Sequence, residues 1–165
     1  MNSVFAGIYL ATQQLLKEHA PFIKHTDQDL GQLKSVRPPV AWPCVLIDTE
    51  TFEFESLGEN VQVGNGVIVF RLGFAPYSNS AGATPGTSKE LALGYYEMEH
   101  QLHQLLQGWQ PGSHTGKLNR ISVTTQKRND NYRVREMRYS LAFEDRSTQN
   151  GRELKAATID LEVTV

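Results

Sequence analysis

The sequence predicts an α+β fold: a mostly antiparallel sheet with two helices packed on one face and a long protruding β-hairpin. Three observations carry that prediction. Apolar residues recur at helical spacing in two separate stretches, one at the N-terminus and one in mid-chain. Apolar and polar residues alternate through most of the rest, as in half-buried strands. The chain has 165 residues, enough for one hydrophobic core, so 1–165 is read as a single domain.

The elements follow in order. Ser3 suits an N-cap, and Val4, Ile8, Ala11 and Leu15, widened by Phe5 and Leu16, line one face of a helix running to about His19. Pro21 ends it. From Phe22 to Pro39 the sequence predicts a long connection with a short helical turn near Asp29 to Leu33, stiffened at its end by Pro38-Pro39. Val40 to Asp48 reads as the first strand, with Pro43 confining that part to an edge or to the strand's start. Phe52 and Phe54 alternate with Glu53, Glu55 and Leu57, and Leu57-Gly58-Glu59-Asn60 reads as a turn. Val61 to Ala75 is the return strand, with Val67, Val69 and Arg71 on one side and Ile68, Phe70 and Leu72 on the other. Gly64-Asn65-Gly66 predicts a bulge or second turn within it.

Residues 78–88 read as a flexible linker of small residues leading into a capping box, Thr87 at N-cap and Glu90 at N3. Leu91, Tyr95, Met98, Leu102, Leu105 and Trp109 then form the apolar stripe of the second helix, closed by Gly108 and Pro111-Gly112. Leu118 to Gln126, a turn at Lys127 to Asn131, and Tyr132 to Asp145 predict a hairpin. Its second strand turns Met137, Tyr139, Leu141 and Phe143 to the core and Arg138, Ser140, Ala142 and Glu144 away from it. A polar turn near Asn150-Gly151 precedes a C-terminal strand within residues 155–165, where Ile159, Leu161, Val163 and Val165 alternate.

Composition narrows the function. Mean hydropathy is −0.40 and no run approaches the about 18 apolar residues of a membrane span. No basic start or small-residue cleavage site marks a secretory signal, so a cytoplasmic protein without membrane contact is expected. Cys44 is the single cysteine, which excludes an internal disulfide or a thiolate metal cluster within one chain. Net charge is −2, but residues 1–116 carry 6 basic and 11 acidic side chains while residues 117–155 carry 10 and 5. Such polarity suits a polyanion partner or the joining of unlike faces of two copies.

Sites of chemistry are sparse. His100 and His103 with Glu97 and Glu99 match half of a di-iron carboxylate pattern that needs a second copy of the motif and a four-helix bundle. They sit beside the apolar stripe, so a solvated or interface helix face is expected. Cys44 lies in an apolar strand without a base nearby in sequence and reads as a core residue. Asp48, Glu50, Glu53 and Glu55 make an acidic strand edge, but no lysine follows within the strand to complete a metal-dependent nuclease pattern. Gly64-Asn65-Gly66 precedes no helix and is no phosphate loop. No catalytic residue, cofactor-binding residue or metal ligand is assigned, and the chain is expected to be non-enzymatic. The basic stretch of Arg120, Lys127, Arg128, Arg133, Arg135 and Arg138, with Lys117 and a base-stacking Tyr132, is a possible polyanion or subunit-interface face. In that reading Arg120 shares a face with Ser122 and Thr124, and Arg138 with Ser140, while Arg133 and Arg135 share another with Met137.

Roughly from Val4 to Arg146 the chain resembles the tail-completion (tail terminator, head–tail joining) proteins of tailed bacteriophages and prophages. The residues that carry the resemblance are Pro38-Pro39-Val40-Ala41-Trp42-Pro43-Cys44-Val45-Leu46-Ile47 and the hairpin of Arg120 to Gln126, Asn129-Asp130-Asn131 and Met137 to Asp145. The resemblance implies a virion structural protein that forms a ring, typically of six copies. That ring terminates the tail tube and offers a surface to the head connector. It also implies assembly in the cytoplasm of the bacterial host, incorporation in the virion tail, and DNA passing through the channel without sequence-specific contacts. The C-terminal strand departs from the pattern. The alternative is a small nucleic-acid-binding accessory protein using the Arg-rich sheet face.

Overall fold

The computed structural model describes residues 3–75 and 86–149. The predicted linker lies largely, and the C-terminal strand wholly, outside the described residues. The first helix, α1 (Val4–His19), begins where Ser3, in extended conformation, accepts the Ala6 N–H on its side chain. Its buried line is Ile8, Thr12 and Leu16, rotated from the predicted stripe, so Ala11 and Leu15 flank the core. Thr12 tolerates burial because its hydroxyl donates to the Ile8 carbonyl at 2.8 Å.

The stretch predicted as a plain connection contains a strand. β1 (His25–Gln28) pairs in parallel with the start of β2 (Cys44–Gly58), and a 3₁₀ turn at Gln32–Lys34 follows. The sequence His-Thr-Asp-Gln lacks apolar alternation, which is why periodicity misses it. β2 begins at Cys44 rather than Val40, after a cis Trp42–Pro43 bond, since proline cannot donate to a ladder.

β3 (Val61–Phe74) returns antiparallel to β2 through a two-residue turn. Gly58, Glu59 and Asn60 all adopt positive φ there, at 92°, 51° and 60°. The Gly64-Asn65-Gly66 segment is no interruption: it pairs continuously with Phe54, Glu53 and Phe52. The register shifts fall on the partner strand instead, between Thr49 and Phe52 and between Ser56 and Gly58. Glycine is required because a Cβ at Gly66 would overlap the Phe52 ring, and one at Gly64 would meet Phe54 and Phe143 at 2.9 and 3.0 Å. The glycines make room for an aromatic cluster of Phe5, Phe52, Phe54 and Phe143.

α2 (Gly86–Leu106) starts before Thr87, so Thr87 lies inside the helix rather than capping it. β4 (Asn119–Gln126) and β5 (Arg133–Asp145) complete a sheet of order β1-β2-β3-β5-β4. Among the described strands, β1–β2 is the one parallel pair. The fold is thus α+β, with a mixed, mainly antiparallel sheet and both helices on one face. β5 accompanies β3 along its length, ending at the Gln62–Asp145 pair, and residues 53–60 of the hairpin are exposed.

The core lies between helices and sheet: Ile8 and Leu16 of α1, Tyr95, Leu102 and Leu106 of α2, against Ile68, Phe70, Leu72, Met137, Tyr139 and Phe143. A smaller cluster of Leu33, Cys44, Leu46 and Val134, with Val40 and Trp42, lies on the other face.

Candidate functional site

The helix-free face of the sheet is built from charges that answer one another. Arg71 of β3 pairs with Asp29 beyond β1, with Glu136 of β5 at 3.1 Å and with Asp48 of β2 at 3.5 Å. Arg138, two residues beyond Glu136 on β5, forks onto Glu50 of β2 and reaches Glu136 at 3.4 Å. Gln126 of β4 donates to the same Glu136 carboxylate at 3.3 Å. The two guanidiniums therefore hold four carboxylates across the sheet. Burial would release a proton from Arg71, but Asp29 and Glu136 outweigh it and hold the proton more firmly than usual.

The six predicted basic residues do not share one surface. Arg138 is on the helix-free face, paired as above. Arg133 and Arg135 are on the helix face: Arg133 lies over the Tyr95 ring at 4.0 Å and donates to its hydroxyl at 2.7 Å. Arg135 forks onto Glu99, a buried carboxylate of α2, and also donates to Thr125. Arg128 is held by Asp130 within the β4–β5 turn. Tyr132 stacks on Trp42, ring centroids 4.9 Å apart. Arg120 is opposite Tyr139 across a register shift before Ser122, so it leaves the Ser122 and Thr124 side where alternation placed it.

The histidines divide. His100 is exposed, whereas His103 is half-buried with Nδ1 2.9 Å from the Tyr139 hydroxyl. Desolvation, then Arg120 and His100, push its protonation below the ordinary imidazole range. Glu99, drawn into the Arg135 pair, is not beside them as a free ligand. Among the described residues no group of three or more His, Cys, Asp or Glu is placed to hold a metal. Cys44 is buried, and desolvation pushes its thiol up to about 11, against the lesser pull of a Gly73 backbone hydrogen bond. Among the described residues no helix is long and apolar enough to cross a membrane.

What the sheet leaves unsatisfied is at its two edges. Among the described residues β1 covers β2 only at residues 44–47, and no other described strand pairs with the outer edge of β2 beyond them. Glu53, Glu55 and Glu59 on this stretch have no ion-pair partner among the described residues, and Phe54 and Leu57 are 43% and 60% exposed. At the opposite edge, the Arg120 N–H is taken by Gln107 just past α2, and from Ile121 to Gln126 no described strand pairs with the outer edge of β4. Lys117, Arg120 and Lys127 flank this stretch and also lack ion-pair partners among the described residues. Ile121 is 52% exposed. One edge is acidic and the other basic, and unpaired strand edges are templates for another strand. Sequence reasoning found both charge sets but could not see that they lie at opposite ends of one sheet.

No family model matches the chain, and no curated protein matches it. Among solved structures it is similar to a chain described as "Virion of native gene transfer agent (GTA) particle". The two are 11% identical, the match covers 86% of this chain and 95% of that one, and the TM-score is 0.46. A likeness that faint fixes no role.

Proposed function

We propose that the protein is a structural subunit of a phage or prophage virion that assembles as a ring, terminating the tail tube and joining it to the head connector. The observation that carries this reading is the pair of unlike open sheet edges. A head-to-tail ring needs two different, mutually complementary patches on each subunit, and the acidic β2 edge and basic β4 edge supply them. The sequence resemblance to tail-completion proteins supports the virion context and a ring of six. Partners under this reading are further copies of the chain, tail-tube and head-connector proteins, and DNA passing without base readout.

The nucleic-acid-accessory alternative has less support, because Arg128, Arg133, Arg135 and Arg138 are engaged within the chain on different surfaces. The test is the mass distribution of purified protein across concentration and salt, with electron microscopy of the largest species. Closed rings support the proposal. A monomer at all concentrations that binds DNA with a steep salt dependence overturns it.

A further inference from the structure

The two edges also specify how one copy meets the next. We propose that the open edge of β4 in one copy adds, antiparallel, to the open distal edge of β2 in its neighbour, so that the sheets continue from subunit to subunit. The proposal rests on the self-assembling reading above and commits to a second copy of this chain as the occupant.

Direction comes from topology. Copies in a ring are related by rotation about one axis, and a sheet continues through them only when strand directions are kept. Within a chain β2, β3, β5 and β4 are successively antiparallel, so β4 opposes β2. β4 of one copy therefore meets β2 of the next antiparallel.

Position comes from what is already occupied. β1 fills the β2 edge at residues 44–47, and Gln107 caps β4 at Arg120. The six free positions Ile121 to Gln126 thus fall on the stretch of β2 beyond Asp48. Facing side chains must share a side of the sheet. Ser122 and Thr124 lie opposite Arg138 and Glu136, on the helix-free side. Glu53 and Glu55 alternate with Phe52 and Phe54, whose rings join Phe143 on the helix side. Pairing Ser122 with Glu55 and Thr124 with Glu53 places hydroxyls against carboxylates. It also turns Val123 toward the exposed ring of Phe54. Arg120 and Lys127, at the two ends of the free stretch, then flank the acidic run. Main-chain hydrogen bonds supply the contact and the charges select its register.

The test uses the full chain carrying both Ser122→Cys and Glu55→Cys, oxidised mildly at high protein concentration. A disulfide needs Cα atoms within about 7 Å, so it forms only where the strands lie side by side. The expected product is a ladder of covalent multimers, because every copy carries both halves of a head-to-tail contact. Each single variant alone gives no ladder, and an equal mixture of the two stops at dimers. In parallel, Thr124→Glu, set against Glu53 on the same side of the sheet, weakens association about tenfold or more, and Thr124→Glu with Glu53→Lys restores it. Thermal melting of each variant monitors the fold. Rings from the wild type with no ladder and no charge-swap rescue overturn the edge pairing while leaving the ring reading intact. No association and no ladder at millimolar protein overturn both.

Discussion

The two faces of the sheet are held by different physics. On the helix side, Ile68, Phe70, Leu72, Phe74, Met137, Tyr139, Leu141 and Phe143 are all at most 2% exposed, beneath two helices. On the helix-free side, among the described residues, the buried apolar residues are the small cluster of Leu33, Cys44, Leu46 and Val134 together with Val69, and arginine–carboxylate pairs lie beside them. Apolar burial is non-directional and scales with area, whereas ion pairs repay their desolvation only with good geometry. The helix side therefore carries most of the stability. The helix-free side neutralises most of its own charge and leaves the sheet edges as the places where unanswered charge meets solvent.

The comparison predicts unequal losses. Phe70→Ala opens a cavity beneath the helices and costs about 3–5 kcal/mol by urea denaturation. A loss below about 1 kcal/mol would erase the distinction between the faces. Arg71→Met leaves Asp29 without its cation and Glu136 with Arg138 alone at 3.4 Å, and costs roughly 1–3 kcal/mol by the same measurement. A cost as large as that of Phe70→Ala would make the ion-pair face an equal partner.

His103 gives a smaller, pH-dependent effect. Its folded pKa lies below the ordinary value of 6.5, so the folded state binds fewer protons there than the unfolded chain. Stability is full above pH 6.5 and falls as pH drops below it. His103→Gln keeps a polar partner for Tyr139 and flattens that part of the acid limb, measured as unfolding free energy at pH 5 against pH 8. A wild-type profile unchanged by the substitution would remove His103 from the account. Smallest is Glu55→Lys, which shifts the stability of the isolated chain by no more than about 0.5 kcal/mol. A larger loss by thermal melting would show that the acidic edge is bound within the fold rather than open.

Much of the helix side was legible in the sequence. Periodicity placed α1 from Ser3, the alternation of β3 and β5, and the turn at Glu59-Asn60, because burial on one face imposes a period that composition records. The candidate site was only half legible. Glu53, Glu55, Arg120 and Lys127 stood out as charges, and their grouping in sequence suggested two unlike patches.

By itself the sequence determined the fold class, the inward faces of the long strands, and the unlike charge of the chain's two parts. Only the tertiary structure decided which charges are spent. Arg135 on Glu99, Arg71 on Asp29 and Arg138 on Glu50 are pairs 36, 42 and 88 residues apart. It likewise decided that β1 is a strand at all, since a polar tetrapeptide becomes one only by lying beside β2. The edges belong to the same class of fact. Whether a strand is central or open depends on what folds next to it, and no local pattern of side chains encodes its neighbour.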